Sequence, residues 1–191
     1  LNVYIQMIKY CYYQINKKIS VSLFKECLNS IEIPIDYLNI ENETSGIIGV
    51  TDDLIVKLNY SLEAIARDLN VIIHKLITFK INDSYKEILK YQIDYDLGET
   101  KNLGEMFAFY LKDNVFKNII CLDFAKVENC LLEDIYIYIC DNFNTSRAAN
   151  DLYLHRNTLL YRINKFISLT DLDIRNSDNG LYFLAYYHKY R

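Results

Sequence analysis

Residues 143–166 read FNTSRAANDLYLHRNTLLYRINKF, and this stretch decides how the chain is interpreted. Its first half, which Asn144 or Thr145 starts, is short and rich in small residues, so it predicts a brief helix that another helix can cross closely. A tight turn at residues 153–155 leads to a second helix. The packing residues of that helix, spaced four and then three, are Leu159, Ile163 and Phe166. The pattern predicts a helix-turn-helix.

A further helix precedes this stretch and ends near Asn142. Its apolar face consists of Leu131, Leu132, Ile135, Tyr136, Ile139 and Cys140. A helix with one apolar face packs that face against neighbouring elements. We therefore predict a helical domain over residues 126–191 and a separate region over residues 1–125.

The second helix of the pair carries the chemistry of DNA recognition. A recognition helix presents polar and cationic groups away from its packing face, and its first turn approaches the base edges. Arg156, Asn157 and Thr158 occupy that turn. Arginine offers a bidentate donor to guanine, and asparagine offers a donor and an acceptor to adenine. With later hydroxyl and phosphate contacts included, the predicted DNA-binding residues are Thr145, His155, Arg156, Asn157, Thr158, Tyr161, Arg162 and Lys165.

The charge distribution agrees with a nucleic-acid partner at the carboxyl end. The chain carries a net charge of −4, yet residues 141–191 hold seven Lys/Arg and five acids, for a net +2. The first 140 residues are correspondingly acidic. An acidic body with a basic tail is typical of a protein that meets DNA through the tail.

The string LYLHRNTLLYRINKF, with Ala-Ala-x-x-Leu before it and LTDLDI after it, resembles the C-terminal helix-turn-helix of the PucR/CdaR family. These are bacterial regulators of purine or sugar-diacid utilisation. The resemblance covers roughly residues 128–190. More broadly, this segment is similar to the Fis-type helix-turn-helix. It implies that residues 155–165 enter the major groove of double-stranded DNA.

The resemblance extends weakly upstream and has local departures. Residues 84–111 are similar to the end of the degenerate GGDEF-like domain that precedes the helix-turn-helix domain in the family. The sequence contains no intact GGDEF motif, so nucleotide cyclase activity is not supported. Leu160 occupies a position that is often basic in the family. Asp171 stands where a helix-ending glycine is usual, and Gly180 stands where arginine is common.

The first 125 residues are expected to form a mostly helical α+β region with two short strands. Helices are predicted over residues 3–19, 22–28, 51–79, 83–93 and 103–112 from apolar residues spaced three and four. Residues 31–40, which contain Pro34, predict an edge strand, and residues 47–50 predict a second strand. The long seam over 51–79 fits either a buried domain helix or a dimer interface. The fold class is therefore mainly α.

No residue pattern points to catalysis, a cofactor or a metal. The chain has no Gly-rich phosphate loop and no Gly-x-Ser-x-Gly elbow, and its three histidines lie in unrelated segments. Its five cysteines include no CxxC pair, which favours buried, reduced thiols. No apolar run reaches the ~20 residues that span a bilayer. A non-enzymatic, cytoplasmic protein without membrane contact is expected.

Two hypotheses follow. The first is a bacterial transcriptional regulator that binds operator DNA as a homodimer and controls a catabolic operon. This hypothesis is compatible with regulation by a small-molecule effector. The second is a truncated, dimerising interaction protein that has lost operator binding.

Overall fold

The computed structural model describes residues 7–110 and 116–191. The chain divides into two compact units, residues 1–102 and residues 103–191, which we call the sheet unit and the helical unit. The helical unit thus begins upstream of residue 126, where the sequence places the domain boundary.

The sheet unit alternates strands and helices. Its elements are β1 (Ile8–Ile15), α1 (Val21–Ser30), β2 (Tyr37–Ile40), β3 (Ser45–Thr51), a 3-10 turn (Asp52–Leu54), α2 (Ile55–Asp68), β4 (Ile73–Thr78), α3 (Tyr85–Asp94) and β5 (Thr100–Asn102). The strand order is β2-β3-β1-β4-β5. All neighbours are antiparallel except β4 and β5, which run parallel and are connected through α3. The first six long elements follow the β-α-β-β-α-β order of ferredoxin-like folds.

Strand β1 lies at the centre of this sheet and is buried on both faces. On one face, Cys11, Tyr13 and Ile15 join the apolar core that α1 and α2 cover. On the other face, the ring of Tyr12 lies 6.0 Å from that of Tyr85 in α3. A strand covered on both faces is apolar at nearly every position, so the period-two alternation of a half-exposed strand is missing.

This two-sided burial explains where the sequence interpretation of the sheet unit is wrong. The helix predicted over residues 3–19 is instead β1 within the described part, and residues 3–6 lie outside the described residues. The helix predicted over 51–79 is α2 followed by β4, because Asn70 adopts a left-handed φ of 51° and ends the helical path. The described residues form five strands where two were predicted.

The helices predicted over 22–28 and 83–93 are present as α1 and α3. The cap of α1 is Ser20, whose hydroxyl accepts a hydrogen bond from the Leu23 backbone N–H at 3.3 Å. The edge strand predicted within residues 31–40 is β2, and it begins after Pro34.

The helical unit contains six helices in its described part. They are α4 (Leu103–Glu105, continued by a π-helical turn at Met106–Tyr110), α5 (Lys117–Phe124), α6 (Asn129–Cys140), α7 (Thr145–Asp151), α8 (Arg156–Thr170) and α9 (Ser177–Tyr190). The helix predicted over 103–112 corresponds to α4 and its π-helical turn, and residues 111–112 lie outside the described residues.

Aromatic packing around Phe124 holds this unit together. Its ring contacts those of Phe166 in α8 and of Tyr182, Phe183 and Tyr186 in α9, with centroids 4.4–6.1 Å apart. Aromatic pairs at these distances add stabilisation beyond the area they bury. Because Phe124 ends α5, this contact explains why the compact unit starts before residue 126.

The cysteines are free thiols, but they are not uniformly buried. Cys11 is buried in the sheet, and burial raises the pKa of its thiol to about 12. Cys130 and Cys140 of α6 are exposed, in contrast to the expected buried thiols.

Candidate nucleic-acid interface

The helix-turn-helix starts at a well-defined cap. The Asn144 side chain accepts hydrogen bonds from the backbone N–H groups of Ser146 and Arg147, both at 3.1 Å, and so begins α7. Thr145, a predicted DNA contact, is half-buried and shares a hydrogen bond with Tyr138 of α6. Burial raises the pKa of Tyr138, and this hydrogen bond partly opposes that shift. Thr145 therefore has a structural role at the α6–α7 junction.

Ala148 and Ala149 are the buried residues of α7. Their small side chains permit the close crossing of α7 with its neighbours that the sequence predicts. Arg147 lies on the opposite side of this helix, and its Nε is 2.9 Å from Oδ1 of Asp141. Because the Asp141 side chain is 6% exposed, this pair ties α7 to the end of α6.

The turn between α7 and α8 occupies residues 152–155. Tyr153 has a φ of 54° and a side chain that is 97% exposed. His155 caps α8, since its Nδ1 accepts a hydrogen bond from the Asn157 backbone N–H at 3.2 Å. This geometry assigns His155 a capping role.

The first turns of α8 present a polar surface. The helix buries Leu159, Ile163 and Phe166 as the spacing predicts. Arg156, Asn157, Thr158 and Tyr161 lie on the exposed side. Among the described residues, their side chains make no ion pair or hydrogen bond with the protein. With 15 residues, α8 is ~22 Å long and suits a major groove.

The remaining two cationic side chains of α8 have acidic partners. The Nη1 atom of Arg162 is 2.6 Å from Oδ2 of Asp134 in α6, and the Asp134 side chain is only 7% exposed. The Nζ atom of Lys165 is 3.3 Å from Oε1 of Glu128, where the two side chains are 40% and 67% exposed. The predicted site residues of α8 thus form two groups: exposed side chains at its first turns, and two cations that pair with acidic side chains of the helical unit.

Two of the departures noted in the sequence have structural counterparts. Asp171 ends α8 with a left-handed φ of 58°, and its N–H donates to the carbonyl of Ile167. A glycine adopts this conformation at lower cost, which accounts for the residue usual there. A Cβ atom added to Gly180 of α9 would lie 3.1 Å from the Phe143 ring, so a larger residue requires Phe143 to move.

Other site types find little support in the described residues. No group of three or more His, Cys, Asp or Glu side chains within residues 7–110 and 116–191 is arranged to hold a metal ion. Across the same residues, no helix combines the length and apolarity that crossing a membrane requires. The sheet unit contains a cavity of about 430 Å³ between α3 and the β2–β3 connection, with Tyr12, Gln14, Glu41 and Lys90 in its lining.

The geometry agrees with what known proteins show. Residues 131–186 match the PucR C-terminal helix-turn-helix domain. The match spans α6 to α9 and includes every predicted DNA-contact residue. The helix-turn-helix predicted from the sequence is confirmed.

Two proteins of Bacillus subtilis match short segments of the chain. The chain is 42% identical over 60 residues to the uncharacterized protein YxkF of Bacillus subtilis (strain 168), which covers 31% of this chain and 20% of YxkF. It is 41% identical over 44 residues to the proline-responsive transcriptional activator PutR of the same organism, covering 23% of this chain and 11% of PutR. The matched segments are therefore small parts of these longer relatives.

A solved structure resembles the chain at low similarity. It is the regulator of polyketide synthase expression from Bifidobacterium adolescentis, with a TM-score of 0.49 and 8% identity, covering 95% of this chain and 79% of that chain. This similarity is too low to assign a fold or a function.

Three features of the interface were not evident from the sequence. Asp134 and Glu128 lie 28 and 37 positions away from the cations they pair with, so no local pattern reveals them. The extreme exposure of Tyr153 also depends on the turn geometry. The left-handed region favours Gly or Asn, and the sequence offers neither at position 153.

Proposed function

We propose that this chain is a transcriptional regulator that binds operator DNA through α8. The observation that carries the proposal is the exposed polar surface of Arg156, Asn157, Thr158 and Tyr161, whose side chains have no partner within the described part of the chain. It lies at the amino-terminal end of a helix within the segment that matches the PucR C-terminal helix-turn-helix domain. A cationic and amide-bearing first turn is suited to reading base edges.

The roles within this surface differ. Arg156 and Asn157 are proposed to contact bases, because they belong to the first turn. Thr158 and Tyr161 are proposed to donate hydroxyl hydrogen bonds to the phosphates. His155 contributes by capping the start of α8, where the positive end of the helix dipole attracts a phosphate.

The wider regulatory role is also a proposal. PutR is named as a proline-responsive transcriptional activator. For this chain we propose transcriptional control of a catabolic operon. Pairing of half-sites by helix-turn-helix proteins favours a homodimer. The regulatory and dimerising role of residues 1–125, the GGDEF-like character of residues 84–111, and the cytoplasmic location stay predictions. A small-molecule effector also stays a prediction, and the cavity beside α3 has room for one.

The test is binding to double-stranded DNA, measured by fluorescence anisotropy. The probes are the promoter fragment upstream of the chain's own gene and a random duplex of equal length. Asn157→Ala is expected to weaken binding to the promoter by about 1–3 kcal/mol and to leave binding to the random duplex nearly unchanged. Lys165→Ala is expected to weaken binding to both duplexes and to flatten the salt dependence.

The charge-matched control is Lys117→Ala, which removes an exposed cation of α5 outside the matched domain. It is expected to leave the affinity for both duplexes close to that of the wild-type chain. If Arg156→Ala and Asn157→Ala bind the promoter as well as wild type does, the DNA-reading role of α8 is wrong. A dimer that binds neither duplex would instead favour the interaction-protein hypothesis.

A further inference from the structure

Arg162 on α8 forms an ion pair with Asp134 of α6, and this pair gives Arg162 a different role from that of Lys165 on the same helix. Asp134 lies on α6 with a side chain that is 7% exposed, and Arg162 is its partner at 2.6 Å. A carboxylate this deeply buried is stable in its charged form only when a cation or hydrogen-bond donors accompany it. No other partner of Asp134 is present among the described residues.

Moving Arg162 onto a DNA phosphate would leave this carboxylate buried and unpaired. The exchange is unfavourable because an exposed phosphate contact is weaker than a short, partly buried, charge-assisted pair. From this we infer that Arg162 is a positioning residue that holds α8 against α6 and does not neutralise a phosphate. This inference rests on the proposed DNA-binding function.

Lys165 provides the contrast on the same helix. Its pair with Glu128 is longer, at 3.3 Å, and more than a third of each side chain is exposed. Exposed pairs of this kind contribute little and are screened by salt. Lys165 can therefore leave Glu128 for a phosphate, whereas Arg162 stays with Asp134.

Removing the acidic partners tests this difference, because the two roles give opposite signs. Asp134→Ala deletes a negative charge and frees Arg162, so a phosphate-binding Arg162 would make DNA binding tighter. A positioning Arg162 makes it weaker, by about tenfold or more for the promoter fragment. The matched control Glu128→Ala is expected to leave the affinity unchanged or to increase it.

The salt dependence of binding distinguishes the two roles further. A misplaced α8 weakens binding without changing the salt slope, whereas loss of a phosphate contact reduces that slope. Lys165→Ala is expected to reduce the slope of log Kobs against log salt by about 1, whereas Arg162→Ala leaves it unchanged. The paired variant Asp134→Asn with Arg162→Gln replaces the ion pair by a neutral hydrogen bond and is expected to recover most of the promoter affinity. Circular dichroism confirms that each variant is folded.

Tighter binding by Asp134→Ala, or a smaller salt slope for Arg162→Ala, would overturn the inference while leaving the proposed function intact. If the wild-type chain binds neither the promoter fragment nor the random duplex, the proposed function fails and the inference fails with it.

A second, independent observation concerns Tyr153. The side chain is 97% exposed, and the backbone adopts the left-handed region with a φ of 54°. An exposed aromatic ring gains no burial, and a side chain with a Cβ makes this conformation unfavourable. The left-handed backbone ends α7, since the Leu154 N–H then donates to the Ala149 carbonyl at 2.8 Å, whereas the exposed ring adds nothing to the fold.

The position of Tyr153 gives the exposed ring a use. It lies two residues before His155, which caps α8, and so at the same end of the helix as Arg156 and Asn157. We propose that Tyr153 is a further DNA contact, with its hydroxyl donating to a phosphate and its ring lying against the sugar. Tyrosine makes such sequence-independent contacts to the DNA backbone.

The test compares stability and affinity in the same variant. Tyr153→Gly is expected to raise the Tm by a few degrees, because glycine adopts the left-handed region without a Cβ clash. It is also expected to weaken binding to the promoter and the random duplex alike, by roughly three- to tenfold. Tyr153→Phe isolates the hydroxyl and is expected to show part of the affinity loss with an unchanged Tm. Full affinity in Tyr153→Gly would overturn the proposal.

Discussion

The sheet unit and the helical unit bury apolar residues in different ways. In the sheet unit, β1 is covered on one face by α1 and α2 and on the other by α3, so Cys11, Tyr12 and Tyr13 in a row are all buried. In the helical unit, α8 is covered on one side only and buries every third or fourth residue. One-sided burial leaves a periodic pattern in the sequence, whereas two-sided burial removes it.

The largest expected effect concerns the aromatic core of the helical unit. Phe124→Ala removes a ring that contacts four other aromatic rings, so it is expected to reduce the free energy of unfolding by about 3–5 kcal/mol. Urea denaturation followed by circular dichroism measures the change, and hydrogen exchange locates it in the helical unit.

The matched control lies two residues earlier on the same helix. Leu122 is 72% exposed, so Leu122→Ala is expected to change the free energy of unfolding by less than about 0.5 kcal/mol. Similar losses for the two variants would show that burial does not govern stability in α5.

Tyr12 and Tyr13 lie on opposite faces of β1, and their substitution by Phe is expected to change the free energy of unfolding by an intermediate amount. The Tyr12 hydroxyl donates to the Asn82 carbonyl at 3.1 Å and accepts from its N–H at 2.8 Å, so Tyr12→Phe is expected to cost about 1–3 kcal/mol. The Tyr13 hydroxyl is buried and has no hydrogen-bond partner among residues 7–110 and 116–191, so Tyr13→Phe is expected to stabilise the sheet unit. Thermal unfolding of both variants measures these effects, and destabilisation by Tyr13→Phe would contradict the prediction.

The same tyrosines predict a loss of stability at alkaline pH. Burial raises the pKa of Tyr12 to about 12 and moves the pKa of Tyr13 in the same direction. In the unfolded chain these hydroxyls ionise near their ordinary pKa of about 10, so the unfolded state loses protons first and stability falls as the pH rises above that value. Tyr13→Phe is expected to make the decline between pH 9 and 12 shallower, as urea denaturation at several pH values would show.

The smallest expected effect compares one helix cap from each unit. Asn144 accepts two backbone hydrogen bonds at 3.1 Å, whereas Ser20 accepts one at 3.3 Å. Asn144→Ala is expected to cost about 1 kcal/mol, and Ser20→Ala less. Thermal unfolding of the two variants ranks the caps, and the reverse order would show that cap geometry does not set the cost.

The helix-turn-helix was predictable from the sequence because its signals are local. The capping residues, the small residues of α7 and the spacing of Leu159, Ile163 and Phe166 all lie within about two dozen positions. The inner strand β3 lies where the sequence predicts a strand over residues 47–50. Strands β1 and β4 were not predictable, since their pairing joins Ile15 to Ile73 across the chain. The division of the cations on α8 was missed for the same reason, because it depends on acids of a different helix.

The order of the sheet has a consequence for association between copies of the chain. Strands β2 and β5 form the two rims among the described residues, and they are four and three residues long. The apolar strands β1, β3 and β4 are longer and lie inside, where both neighbours occupy their backbone hydrogen-bonding groups. Short rim strands offer few such groups to another chain, which limits edge-to-edge aggregation. The long apolar strands β1, β3 and β4, which are the most prone to aggregate, are thus shielded by the short edge strands β2 and β5.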